Sequence, residues 1–305
     1  MLDPVSVAAG AAIVPLMWVG SKVLGSLRNH AHKDRSVRGL KVVITGSSRG
    51  LGYALADQFL ALGDDVVVSS RTEQACKEAA EKLAERHPSS RVLHFPCDVR
   101  NAEEAVALAR FAQERLGRLD IWVNNAGVSQ THKKELQDTE PEVIEEVLAT
   151  NLLGSIYGAR AALQVFTEQE NGGKVFFIDG TGAWGNPTPG NVAYGASKRA
   201  LTQLKGSLAA EAKREHDIAV HIASPGMVAT DLLLSGEKDA RATNFVNILA
   251  EDAAVVAAWM VPRMRGVRGS GKYFKFLTPR GVVWRLLTAK GRKGRFLQED
   301  GLKQS

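Results

Sequence analysis

Seven apolar runs of strand length recur along residues 38–289: LKVVIT (40–45), DVVVSS (65–70), RVLHF (91–95), LDIWVN (119–124), KVFFID (174–179), IAVHIA (218–223) and KYFKFL (272–277). They are rich in Val and Ile, as strands buried on both faces are. Amphipathic stretches of helical length separate them, among them 103–116 and 196–214, long enough for right-handed crossovers between parallel neighbours. The pattern predicts an α/β domain built on one doubly wound, seven-stranded parallel sheet with helices on both faces. After the sixth run the rhythm breaks at 231–250, DLLLSGEKDARATNFVNILA, at the sheet end where ligands bind in such folds, so this segment reads as a substrate loop.

The flanks differ from the domain. Residues 4–21 carry no charge, about the length of a spanning helix, and Lys22, Arg28, Lys33, Arg35 and Arg38 with His30 and His32 follow, which would hold that flank on the cytosolic or stromal side. Pro15 and the many Ala and Gly leave three readings of 1–37: a membrane anchor with a basic linker, a helix packed on the domain, or a processed targeting segment. The start, Met-Leu-Asp, lacks the basic residues of a secretory signal. The tail 290–305 opens with KGRKGR, read as a solvated end or as a contact for lipid headgroups.

Composition narrows the function. A chain of 305 residues that is 45% hydrophobic and 24% charged is globular rather than disordered or fibrous. Cys76 and Cys97 alone make neither a disulfide framework nor a zinc site, so a reducing compartment and no metal are expected. The net charge of +6 gathers in the flanks and near the first glycine-rich turn, with no recognition module, which argues against nucleic acid.

That turn carries the first chemistry. Thr45, Gly46, Ser47, Ser48, Arg49, Gly50, Leu51 and Gly52 follow the first strand and open a helix. Glycines at 46, 50 and 52 let the backbone turn tightly and approach a pyrophosphate, whose charge meets the helix N-terminus, so the sheet is of Rossmann type. The second strand ends Ser69, Ser70, Arg71, without the carboxylate that accepts ribose hydroxyls in NAD sites. Arg49 and Arg71, with Ser70, would instead embrace a 2′-phosphate, so the cofactor reads as NADPH, with NADH the alternative. Asp98 and Val99 would lie beside the adenine, or Asp98 would cap the helix starting near Ala102.

Tyr194 and Lys198 stand four apart in Tyr-Gly-Ala-Ser-Lys, which puts both on one helical face. Carbonyl reduction needs a proton for the developing alkoxide, and a neighbouring ammonium that lowers a tyrosine's pKa would ease that transfer. The pair alone is common on solvated helices. Together with the glycine turn, Asp98, Asn124-Asn125-Ala126-Gly127, Asn151 and Pro225-Gly226, all in order, the sequence over about 38–280 resembles the short-chain dehydrogenase/reductase family. The resemblance implies that 124–127 supports the central strand and lines the adenine ribose. It further implies that Lys198 holds the nicotinamide ribose, that Asn151 holds a water relaying protons to Lys198, and that 225–230, including Pro225, Gly226, Val228 and Thr230, frames the nicotinamide. It also implies symmetric homo-oligomers. The family's carbonyl-polarising serine is missing from Asp179-Gly180-Thr181-Gly182-Ala183-Trp184, where Thr181 offers the nearest hydroxyl.

Within that family the Asp179-Gly180-x-Gly182 run, Thr188-Pro189, the stretch 224–236 and the ending Lys275-Phe276-Leu277-Thr278-Pro279 resemble the chlorophyll b reductase branch, although Ala183 stands where that branch has a serine. This resemblance implies reduction of the 7-formyl group of chlorophyll(ide) b to 7-hydroxymethyl. It implies a thylakoid membrane facing the stroma in a photosynthetic host, and an endoplasmic or bacterial inner membrane otherwise. Leu232, Leu233, Leu234, Phe245 and Trp184 would give such a hydrophobic carbonyl substrate an apolar wall. A membrane-associated reductase of steroid, retinoid or lipid carbonyls fits the same residues, as does a silent NADP(H)-binding scaffold.

Overall fold

The computed structural model describes residues 39–298 except 131, 213–216 and 235–239; the apolar segment 4–21 and the last residues of the tail lie outside that range. All seven predicted strands form, as β1 (Lys41–Thr45), β2 (Asp65–Ser70), β3 (Val92–Pro96), β4 (Ile121–Asn124), β5 (Gly173–Ile178), β6 (Ile218–Ser224) and β7 (Tyr273–Lys275). They make one sheet in the order β3-β2-β1-β4-β5-β6-β7, and every pairing is parallel. The strand order reverses between β1 and β4, and the crevice at their C-terminal ends is the expected place for a ligand.

Alternation along β1 explains the two-sided core. Val42 and Ile44 face one side, where they join Leu55 and Phe59 of α1 (Gly50–Ala61), Leu83 of α2 (Glu73–Arg86) and Met260 of α9 (Ala253–Gly266). Val43 faces the other side, with Leu108 of α3 (Ala102–Leu116), Phe166 of α5 (Gly154–Glu168), Leu201 of α6 (Val192–Ala212) and Trp122 of β4. Truncating a fully buried Phe166 or Trp122 to Ala would cost about 3–5 kcal/mol.

Between α4 (Pro141–Leu148) and α5 the chain makes a π-turn at Ala149–Leu153 without leaving the helix. The predicted substrate loop holds α7 (Asp231–Leu234) and α8 (Ala240–Leu249), and β7 leads on to α10 (Pro279–Leu287) and a 3-10 turn at Ala289–Arg292. Helix α6 begins four residues before the predicted 196, so Tyr194 sits in its first turn.

The tail departs from the solvated end read from its composition. Arg292 and Arg295, joined by Arg285 of α10, reach Glu251 at 3.2, 2.6 and 3.0 Å. Buried Asn247 accepts from the backbone N–H groups of Phe296 and Leu297 and donates to the Leu297 carbonyl. Leu297 is fully buried against Val246 and Ala250, so the segment through 297 clasps α8.

Candidate active site

At the end of β1, Gly46 has a φ of +63°, and a Cβ there would stand 2.8 Å from the Ala126 backbone; both facts demand glycine. A Cβ at Gly52 would meet Asn125 Nδ2 at 2.5 Å, so α1 starts pressed against its own turn. Asn125 holds that turn by donating to the carbonyls of Thr45 and Gly46 at 2.9 Å, while Thr45 Oγ1 accepts from the N–H groups of Asn125 and Ala126 at 3.1 Å. The Asn-Asn-Ala-Gly segment therefore shapes the glycine turn, and the Asn124 side chain accepts from Trp122 Nε1. Buried Ser47, missed in the sequence, accepts from Ser69 N–H at 3.0 Å and locks the turn to β2. No side chain caps α1, so its first N–H groups are left for an anion.

Around this cradle Arg49 and Arg71 are exposed and only loosely paired, with Asp231 at 3.5 Å and Glu146 at 3.6 Å. Ser70 lies at the end of β2 with its hydroxyl 3.1 Å from Cys76 Sγ. Asp98 does not cap the helix: Asn101 does, accepting from the N–H groups of Glu103 and Glu104. A fork from Arg100 holds Asp98 instead and keeps its carboxyl below the usual range. Val99 is buried against Gly154 at the start of α5. On the opposite lip, a Cβ at Gly50 would approach the Thr230 methyl at 3.3 Å, so the 225–230 loop closes over the turn. Pro225 and Gly226 begin that loop, with Leu277 packed beneath Gly226, and buried Val228 bridges to Glu251.

The structure brings Tyr194, Lys198 and Asn151 together. Asn151 is fully buried in the π-turn; its Oδ1 accepts from Val128 N–H at 2.8 Å, and its Nδ2 donates to Val128 O and to Ser197 Oγ. A Cβ at Gly127 would lie 3.3 Å from Asn151 Oδ1 and 3.5 Å from Lys198 Nζ, so glycine is what lets these groups converge. Lys198 donates to the Ile178 carbonyl at 3.1 Å, and burial pulls its ammonium down to about 8, with Asp179 opposing.

The expected lowering of the Tyr194 pKa by Lys198 is not what this geometry gives. Burial first, and the Asp179 carboxylate second, hold the phenol above its ordinary range, while Lys198 Nζ lies 5.6 Å from the ring centre and spends a hydrogen bond on Ile178. A phenol kept protonated is suited to giving a proton.

Asp179 is the group the sequence did not mark for a role. It directly follows β5 as a buried acid after an apolar run, accepts from the Tyr273 hydroxyl, and burial raises its carboxyl. Trp184 donates to the same Tyr273 oxygen at 2.8 Å, so an indole at the surface is tied to the buried acid.

Thr181 rides a loop clamped over the start of α6: a Cβ at Gly180 would collide with the Tyr194 hydroxyl, and one at Gly182 would stand 2.6 Å from Gly195. Thr181 is exposed, and among the described residues none hydrogen-bonds its hydroxyl. Ala183 is buried, its carbonyl accepting from Arg199 and Thr202, so the change there alters packing beneath the loop rather than a surface that meets substrate. The proposed apolar wall divides. Leu233 and Leu234 pack on Val246 and Leu297, whereas Trp184, Leu232 and Phe245 stay exposed.

The profile of the short chain dehydrogenase family matches residues 40–240. The chain belongs to the short-chain dehydrogenase family. Chlorophyll(ide) b reductase NOL, chloroplastic, is 39% identical to it in Oryza sativa subsp. japonica, over 88% of this chain and 81% of that protein. The Arabidopsis thaliana NOL is 39% identical over 85% of this chain and 77% of its own length. The chain spans 59% and 62% of the longer NYC1 relatives from the same two plants, also at 39% identity. Among solved structures, a short chain dehydrogenase from Burkholderia cenocepacia J2315 in complex with NADP superposes with a TM-score of 0.67 at 25% identity, covering 78% of this chain and 96% of that one. A dehydrogenase/reductase from Sinorhizobium meliloti 1021 gives 0.68 at 26% identity, over 79% and 95%. The chain is thus an oxidoreductase of this short-chain dehydrogenase family with a nicotinamide cofactor. The residues fit that group, with a cradle that a Cβ at Gly46 would close, an uncapped helix N-terminus, and two exposed guanidinium groups beside it.

Proposed function

We propose that the protein reduces the 7-formyl group of chlorophyll(ide) b to 7-hydroxymethyl with NADPH. The observation that carries this is the convergence of Tyr194 with buried Lys198 and Asn151 in a chain 39% identical to chlorophyll(ide) b reductases over most of its length. NADPH is favoured over NADH by exposed Arg49 and Arg71 and by a β2 end without a carboxylate.

When bound, the reduced nicotinamide supplies the hydride. The glycine turn and the α1 N-terminus hold the pyrophosphate, and Arg49, Arg71 and Ser70 take the 2′-phosphate. Lys198 holds the nicotinamide ribose, and 225–230 frames the ring. Trp184, Leu232 and Phe245 receive the flat apolar substrate, and Thr181 donates to its carbonyl oxygen. As the carbonyl π pair moves onto that oxygen, the Tyr194 phenol gives it a proton, completing the alcohol. The tyrosinate regains a proton through Lys198 and a water at Asn151. A protein acting on a pigment held in a membrane works at the stromal face of a thylakoid in a photosynthetic host. Homo-oligomers form through α5 and α6, whose outer faces carry Leu163, Leu204 and Leu208 around a shallow cleft.

NADPH oxidation with chlorophyllide b, beside steroid, retinal and simple aldehyde substrates, tests the reading. Formation of the 7-hydroxymethyl pigment, reduced about 100-fold or more by Tyr194→Phe with NADPH binding kept, is the expected result. Reduction of a steroid or retinal with the pigment untouched would replace the substrate; tight NADPH binding without any turnover would make the protein a scaffold.

A further inference from the structure

Helix α10 is amphipathic the wrong way round. Its polar Arg285 turns inward, donating to the Leu249 carbonyl and pairing with Glu251 at 3.0 Å. Val283, Trp284, Leu286 and Leu287 are exposed, Trp284 at 66% and Leu287 at 77%. At about 100° per residue these four share one continuous arc, facing away from the domain. Arg280 at the start of the helix and Lys290 and Lys293 just beyond its end are exposed, and no carboxylate among the described residues pairs with them.

We propose that α10 is a membrane-docking helix, its outward apolar face seated among the headgroups of an anionic bilayer. The indole of Trp284 and the apolar arc suit the headgroup boundary, and the three rim cations complement anionic lipid. The same cations disfavour a second copy of the chain as the occupant, because a two-fold contact through this face sets each cation against its own kind. The location adds a consequence. Helix α10 follows β7, whose Tyr273 and Lys275 touch Trp184, and it packs on α8, which carries Phe245. A bilayer on α10 therefore borders the apolar wall of the active site, and a substrate dissolved in it reaches that wall without crossing water. The docking itself does not depend on which carbonyl is reduced.

The test places an environment-sensitive fluorophore at Leu287→Cys in the full chain. Cys76 and Cys97 are buried, with burial pushing both thiols up, so the label goes to the new site. Phosphatidylcholine vesicles containing phosphatidylglycerol should blue-shift and brighten this label but not one at exposed Lys82→Cys on α2. Pure phosphatidylcholine should do so more weakly, and adding Trp284→Glu should weaken the response about tenfold or more. Protein that sediments with vesicles while the label at 287 is unmoved would overturn the proposal, placing the contact elsewhere. A label shift that grows with protein concentration without vesicles would overturn it in favour of self-association. Unchanged NADPH binding by each variant shows that the fold is kept.

Discussion

At the nucleotide end of the site, Arg49 and Arg71 stand exposed, 3.5 and 3.6 Å from their nearest carboxylates. At the end proposed to receive substrate, Arg285, Arg292 and Arg295 are mostly buried and converge on one acid, Glu251. The side chain is the same and the physics is opposite. An exposed pair is worth about 0–1 kcal/mol and releases its guanidinium to a ligand at little cost. A half-buried cluster bonded to carboxylate and carbonyl oxygens is committed to structure. Glycine backbone shapes the nucleotide half from within, whereas the substrate half is held from outside by the end of the chain. Glu251 transmits that hold, since its N–H donates to Met227 O and its carbonyl accepts from Ala229 N–H, tying the clasp to the loop proposed to frame the nicotinamide.

Removing the acid is the strongest way to break this division. Glu251→Ala leaves the converging guanidinium groups without their counter-charge and should cost about 3 kcal/mol, read as a lower thermal midpoint. Substrate KM should rise more than the Kd for NADPH; equal damage to both would show that the halves are not held separately.

Where the halves meet, pH should act through Lys198. Its pKa is depressed to about 8, so the ammonium is present below that pH and lost above it. Reductive kcat/KM, which reports groups of the free enzyme, should be level on the acid side and fall up to about tenfold per pH unit on the alkaline side. Arg71→Ala should leave that limb in place.

A smaller effect, confined to the nucleotide half, is expected from Arg71→Ala. NADPH affinity should fall about tenfold with NADH affinity little changed, and thermal stability should stay within about 0.5 kcal/mol. The smallest effect is expected at Thr181, where Thr181→Ala should reduce kcat severalfold and Thr181→Ser should restore it. Indifference to both would remove this hydroxyl from the reaction.

The sheet was legible because each strand is a continuous apolar run between turn signals, and the glycine turn after β1 because its glycines are neighbours in sequence. The clasp was not, because nothing in KGRKGR points to Glu251, 41 residues before Arg292 and 44 before Arg295. Asp179 escaped for the same reason, its partner Tyr273 lying 94 residues away. In α10, PRGVVWRLL has the composition of a buried helix, and only packing shows that its apolar side faces out. The Tyr194 and Lys198 spacing was read correctly as a shared face. The depth of burial that reverses the expected shift on Tyr194 depends on loops that meet only in the fold.

The π-turn at Ala149–Leu153 carries one residue more than an α-helix of the same span requires. Deleting one residue there would let α4 run into α5 as a regular helix, with better backbone geometry than the native chain has. It would also rotate everything upstream by about 100° relative to everything downstream. Asn151 would then point away from Val128 and Ser197. The more regular helix would lose the Asn151 contacts on which the proposed proton path depends, so this irregularity is one that selection for regular backbone geometry alone would erase.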